Sequence, residues 1–348
     1  MKFEKMMKQW VIQGKKGIES LKLQNVPIPS PGDYEVLVKF HAASLNYRDI
    51  VIANGTYVWT TRDGIVPGSD AAGEVVQAGP KVTRFSVGQR VSPIFHLKHL
   101  YGSFDERYFP SSLGAKHDGV FRQYAVYNEE SCVEIPSNLS YREAATLPCA
   151  AVTAWNTLYG GPRKLKPGET VLAQGTGGVS IFALQFAKMG GAQVIATTSG
   201  PEKADRLKVE RADHVINYKE DPKWGETAKK LSHRGQGAHY IVEIGGANTM
   251  VQSSKAVAID GQISVIGRRA GPQGESGESG DAHSTTMHTV RRILVGSRQL
   301  NEEMISAIEV NDLKPIIDSR TFHLDELKEA YAYFETGQHF GKVVLDID

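Results

Sequence analysis

At 348 residues the chain has room for about two domains, and its 41% hydrophobic and 23% charged residues describe a core-forming sequence rather than a disordered one. Forty basic against thirty-nine acidic residues, a net charge of +1, leave no electrostatic footprint for nucleic acid or an anionic membrane. Two cysteines, Cys132 and Cys149, are too few for a disulfide framework or a four-cysteine zinc lobe. With no apolar run of roughly 18 residues and a basic N-terminus lacking an apolar h-region, the expectation is a cytoplasmic protein of a reducing compartment.

The first third reads as a small barrel-like sheet. Val36–Phe40, Gly73–Val76 and Arg90–Ile94 are short β-branched runs separated by turns such as Pro31-Gly32-Asp33 and Gly79-Pro80. After about Ser140 strand-like and helix-like segments alternate, the pattern of βα units on a parallel sheet. Strands are predicted at Thr170–Gln174, Gln193–Thr198, His214–Asn217, Tyr240–Glu243 and Gln262–Ile266, with a sixth at Arg291–Ser297. Val179, Phe182, Ala183 and Phe186 recur at i, i+3, i+4 and i+7 as one helical stripe that Gly190-Gly191 stops. A second helix is predicted near Glu202–Lys208, an amphipathic one at Leu324–Phe334 and a closing strand at Gly341–Ile347. The polar, glycine-rich stretch Gly271–Asp281 reads as a mobile surface insertion, with a lid over the active site as the alternative.

Between the first strand and first helix of the second region stands Gly175-Thr176-Gly177-Gly178-Val179-Ser180, close to the dinucleotide fingerprint. Glycines let the strand turn tightly and let the backbone approach a pyrophosphate, whose charge the helix N-terminus favours. Gly267 and Arg268, after the fifth strand, join the candidate cofactor residues. NAD sites usually carry an acid at the end of the second strand. Here Thr198-Ser199-Gly200 supplies none, while Ser199, Lys203 and Tyr218 suit the 2′-phosphate of NADPH, which is preferred to NADH. Glu202 reads as a first-turn acid favoured by the helix dipole.

The ordered segments Val66–Gly73, Phe85–Val91, Leu147–Trp155, the Gly175 loop and Gly341–Val344 resemble the medium-chain dehydrogenase/reductase superfamily over nearly the whole chain. That resemblance implies a GroES-like β-barrel catalytic domain over 1–142, completed by 300–348, around a Rossmann doubly wound domain over 143–299. It also implies a homodimer formed through the sheet edge near Arg291–Ser297. Where zinc alcohol dehydrogenases carry a cysteine, a His-Glu pair and a second cysteine, this chain offers Asn46, Ser69-Asp70 and Cys149, a poor ligand set, and no cysteine in 95–113 for a structural zinc. His96, His99 and His117 read as solvated loop histidines rather than ligands. No metal is therefore expected, and Ser44–Asp49 points to the zinc-free branch, similar to quinone oxidoreductases.

Without a Lewis acid, reducing a conjugated C=C is less demanding than reducing an isolated carbonyl, because charge spreads into an enolate. The expected activity is NADPH-dependent reduction of a small enone, enal or quinone. Asn46 and Tyr47 would flank the nicotinamide and substrate carbonyl, Tyr47 would donate a hydrogen bond or proton, and Tyr57 is the second choice of phenol. Arg48-Asp49 reads as a structural ion pair. A zinc-independent alcohol dehydrogenase or carbonyl reductase, and an NADPH-binding protein without turnover, are the alternatives.

Overall fold

In a computed structural model that describes residues 5–267 and 287–348, the β-branched runs of the first third become strands of one seven-stranded sheet. The first unit of the chain comprises Met1–Val152 and Val295–Asp348. Its sheet runs in the order Ile317–His323, Lys342–Asp346, Glu35–Ser44, Asp70–Ala78, Arg90–Pro93 and Cys132–Glu134, and Tyr124–Asn128 pairs additionally with Glu35–Ser44. Met6–Ile12 and Leu21–Pro27 form a separate antiparallel hairpin. Val36, Val38 and Phe40 alternate into a core with Val75, Val91, Phe121, Tyr331, Val343 and Leu345. The segment Ser140–Ala151 stays with this unit because Ser44 Oγ donates to the Ala145 carbonyl at 2.8 Å and the Cys149 N–H donates to Asp70 at 3.3 Å.

The register of three adjacent strands builds the polar site of this unit. Ser44 faces Val344 on one side and Asp70 on the other. Counting back along the antiparallel pair sets Lys342 across from Asn46, and the Leu45 N–H donates to Val343 at 3.0 Å. A helix over Tyr47–Ala53 follows, its first turn closed by Asp49, which accepts the Asn46 N–H at 2.8 Å.

The second unit, Thr153–Leu294, is a six-stranded parallel sheet: β1 (Thr170–Gln174), β2 (Gln193–Thr198), β3 (His214–Asn217), β4 (Ala238–Glu243), β5 (Val257–Val265) and β6 (Thr289–Arg292). Their spatial order is 3-2-1-4-5-6, the doubly wound order of dinucleotide-binding sheets, whose crevice opens between β1 and β4. Every residue of β1 is buried, as expected of a parallel strand covered on both faces. Helices α1 (Gly178–Met189), α2 (Pro201–Val209), α3 (Trp224–Leu231) and α4 (Ala247–Ala256) connect the strands. Leu172, Ile195, Ile216, Ile241 and Ile263 pack against Trp224, Ala228 and Ala256. Along α1 the buried face is wider than the predicted stripe, taking in Ile181 and Leu184, while Val179 is only half-buried.

Three predicted strands of this unit differ from those observed, β4 only by starting two residues earlier, at Ala238. β5 starts at Val257, because the strand continues through Asp260-Gly261, with Asp260 at φ 59°, and absorbs the turn-like pair as a register shift against β4. The predicted strand Arg291–Ser297 is instead Thr289–Arg292. Val295 has φ 53°, and Ser297 caps the helix Arg298–Val310 by accepting the Leu300 N–H at 3.3 Å. The closing helix begins at Leu327, after one tight turn over Leu324–Glu326. The predicted insertion at 271–281 and Arg268 lie outside the described residues.

Candidate active site

In the first unit a ring of polar groups forms where the three strand ends meet. Lys342 Nζ donates to the Leu45 carbonyl at 2.7 Å and to Asn46 Oδ1 at 2.7 Å, and lies 3.3 Å from Asp70 Oδ2. Asn46 Nδ2 donates to Ser69 Oγ at 3.4 Å, and Ser69 Oγ donates in turn to Asp70 Oδ1 at 2.9 Å. The Lys342 and Asp70 side chains are 3% and 0% exposed, and a buried ion pair of this kind survives only with such additional hydrogen bonds. Cys149 borders the ring through its backbone, and burial together with the Asp70 charge drives its thiol pKa strongly upward, so that it is held as the neutral thiol.

Arg48 and Asp49 extend this cluster. Arg48 Nη1 donates to the Leu113 carbonyl at 2.9 Å and lies 3.6 Å from Asp49, whose carboxyl burial raises to about 6 against the opposing pull of Arg48. The two side chains thus lie at ion-pair distance. The Arg48 guanidinium also lies 4.5 Å over the Phe95 ring and 5.3 Å over Tyr57, and Nε donates to the Tyr57 hydroxyl at 3.5 Å. Tyr57 is half-buried and edge-on to Trp59, whereas Tyr47 is 46% exposed on the first turn of its helix. His96 and His99 correct the expectation of solvated imidazoles: both are buried against Phe104, and His99 stacks on Tyr108. Burial, reinforced by Arg48, lowers His96 to about 3, so it is neutral packing. His117 is exposed.

In the second unit Gly175 turns the chain out of β1 at φ 74°, a left-handed conformation that any Cβ would strain. Gly177 is different. Its extended backbone admits any residue, and a Cβ there would meet nothing within 4 Å. Open space over Gly177 at the α1 N-terminus is what close approach of a pyrophosphate would need, and the neighbouring Thr176 is buried. Ser180, in place of the third fingerprint glycine, donates its hydroxyl to the Gln174 carbonyl at 2.5 Å and so keeps helix and strand close. Gly177→Val is therefore expected to weaken the binding of a nicotinamide dinucleotide at least about 30-fold, roughly 2 kcal/mol. Because the fold has room for the side chain, the unfolding midpoint should move by less than about 2 °C; fluorescence titration and a thermal melt check both.

At the ends of β2 and β3 Asn217 pairs with Thr198, and the Tyr218 N–H donates to the Thr198 carbonyl at 3.0 Å. Ser199 and the 43% exposed Tyr218 thus leave adjacent strand ends. Lys203 sits in the first turn of α2, and Glu202 beside it is exposed. Gly267 follows β5, where a Cβ would lie 2.5 Å from the Ile244 carbonyl oxygen.

One residue of this unit escaped the sequence reading. Glu243 ends β4 fully buried, and its carboxylate accepts from Gln174 Nε2 at 2.7 Å, from the N–H groups of Gly245 and Gly246 at 2.8 and 2.9 Å, and from the Thr249 and Ser253 hydroxyls. It ties β1, α4 and the turn after β4 together beside the crevice. An acid closing an apolar strand just before Gly-Gly was the available signal.

Residues 32–137 match the alcohol dehydrogenase GroES-like domain and residues 178–310 the zinc-binding dehydrogenase family. A zinc-type alcohol dehydrogenase-like protein of Schizosaccharomyces pombe is 43% identical, over 95% of this chain and 96% of that protein. An acryloyl-coenzyme A reductase of Metallosphaera sedula is 30% identical, over 97% and 99%. A crystal structure from Sinorhizobium meliloti, described as a candidate alcohol dehydrogenase, superposes with a TM-score of 0.90 at 39% identity, covering 99% of this chain and all of that one. The zinc that one of these family names implies does not fit the residues present. Among the described residues no three His, Cys, Asp or Glu side chains converge as a metal site. The matching positions hold Asn46, Ser69-Asp70 and Cys149, so a single carboxylate and a single thiol stand beside a carboxamide and a hydroxyl, and the Lys342 ammonium lies 3.3 Å from that carboxylate.

Proposed function

Because this chain belongs to the medium-chain dehydrogenase/reductase superfamily, as an NAD(P)H-dependent oxidoreductase, we propose that it reduces the activated C=C of an enone, enal or quinone with NADPH and without zinc. The observation that supports this reading is the polar ring at Asn46, whose carboxamide N–H suits a substrate oxygen and whose Lys342 and Asn46 are poor company for a zinc ion. Ser199, Lys203 and Tyr218, with no acid at the end of β2, support the 2′-phosphate. Gly175–Val179 would hold the pyrophosphate, with Gly267 and Arg268 following β5. When bound, the reduced nicotinamide supplies hydride to the β-carbon of the acceptor. Asn46 would hold the carbonyl oxygen as it gains enolate charge, and a phenol would deliver the proton that completes the reduction.

Tyr57 is the better phenol. Its support is the approach of its hydroxyl to Arg48, whose fixed charge would stabilise the phenolate left after proton transfer. Tyr47, 46% exposed, has less support. The relative named for acryloyl-coenzyme A, whose acyl group is a conjugated C=C–C=O, supports an activated alkene as acceptor. The test is cofactor oxidation over a panel of enones, enals, quinones and saturated ketones with each nicotinamide. Conjugated acceptors are expected to exceed saturated ketones in kcat/KM by at least about 100-fold, and NADPH to exceed NADH by about 10-fold. Saturated ketones turned over equally well would make the protein a carbonyl reductase, and cofactor binding without oxidation across the panel would make it a binding protein.

A further inference from the structure

We propose that Lys342 is a positioning residue, fixing the Asn46 carboxamide with its oxygen inward and its N–H toward the substrate oxygen. An ammonium has three hydrogens and accepts nothing, and those of Lys342 are directed to Leu45 O, Asn46 Oδ1 and Asp70 Oδ2. The Asn46 atom facing Lys342 must then be its oxygen, which leaves Nδ2 as the outward end. Ser69 agrees independently. Its single hydroxyl proton goes to Asp70 Oδ1, so toward Asn46 it can only accept.

Every bond of the ring runs one way, from Lys342 and Asn46 toward Asp70, and no neutral acceptor can reverse it. One Nδ2 hydrogen is directed to Ser69, and the second is the one for the substrate. A divalent ion bound to Asn46, Asp70 and Cys149 would share Asp70 with a buried ammonium and be repelled by it. The kinetic arm of the test rests on the reading of the protein as an enone or enal reductase, while the metal arm does not.

Lys342→Met alone strands the buried Asp70 carboxylate, so the kinetic comparison uses the double change Lys342→Met with Asp70→Asn, made in the wild-type background and in Asn46→Ala. Single-turnover hydride transfer from NADPH to a short 2-enal is expected to fall about 100-fold in the first background, the cost typical of losing one oriented donor. It should move less than about 3-fold in the second, because the donor that Lys342 orients is already gone. NADPH affinity and the unfolding midpoint report whether each variant is folded. A loss of equal size in both backgrounds, or none in the first, overturns the proposal.

Calorimetry with Zn²⁺ alone gives the arm independent of activity. Lys342→Met is expected to bind zinc at least about 10-fold more tightly than wild type, since the repelling charge is removed. Wild-type protein that binds one zinc per chain as tightly as the variant overturns the proposal, whether or not the 2-enal is reduced. If no enal is turned over but the zinc difference appears, the proposed function fails and the role of Lys342 stands.

Discussion

Glu243→Ala is expected to lower the stability of the protein by about 4 kcal/mol and to abolish cofactor binding. Truncation takes an acceptor from two backbone N–H groups, one carboxamide and two hydroxyls around a site with no exposure; Gln174 keeps Ser253 and Thr249 keeps the Gly246 carbonyl, while each buried group left unsatisfied costs about 1–3 kcal/mol. The turn at Gly245-Gly246 can rehydrate part of that set, which is why the sum stays well below five full penalties. Glu243→Gln should recover roughly half, since its oxygen replaces one acceptor while its NH₂ faces donors. Urea denaturation read by fluorescence measures the effect, and a loss under about 1 kcal/mol would show that water already serves these donors.

Tyr57→Phe is expected to lower kcat for the conjugated acceptor by about 10²–10³-fold, the usual contribution of one positioned general acid, and to leave NADPH affinity unchanged. Removing the hydroxyl deletes the proposed proton source and its contact with Arg48, but keeps the ring edge against Trp59 and beneath the guanidinium, so the fold should hold. Tyr47→Phe is the informative companion. A larger loss there than at Tyr57 would transfer the proton to the phenol on the helix, and neither variant moving the rate would assign it to solvent. Pre-steady-state rates separate this step from product release.

The parallel sheet was legible because its strands are short apolar runs between glycine or proline turns. The predicted bounds of β1, β2 and β3 coincide with those observed. β5 was clipped because Asp260-Gly261 looks like a turn, and only pairing with β4 on both sides of the register shift shows that the strand continues through it. In the first unit, the hairpin Met6–Ile12 with Leu21–Pro27 and the helix Tyr47–Ala53 carry weaker periodicity and were not read. The residues matched by family resemblance, Asn46, Ser69-Asp70 and Cys149, do converge.

The group that organises them did not show itself. Lys342 reads as the polar edge of a closing strand, and its significance comes from a register between residues 296 positions apart. His96 and His99 were misjudged for a related reason: a loop of mixed polarity looks exposed until Phe104 and Tyr108 are seen to enclose it.

That long register also has a consequence for biosynthesis. At about 5–20 residues per second, the ribosome takes roughly 15–60 s to reach Lys342 after Asn46 has been made. Throughout that interval the strand ends at Ser44 and Asp70 lack the neighbour that neutralises Asp70. The nascent chain therefore carries an open sheet edge and an uncompensated carboxylate until its last strand is released, an interval in which a chaperone that shields sheet edges would raise the yield of native protein.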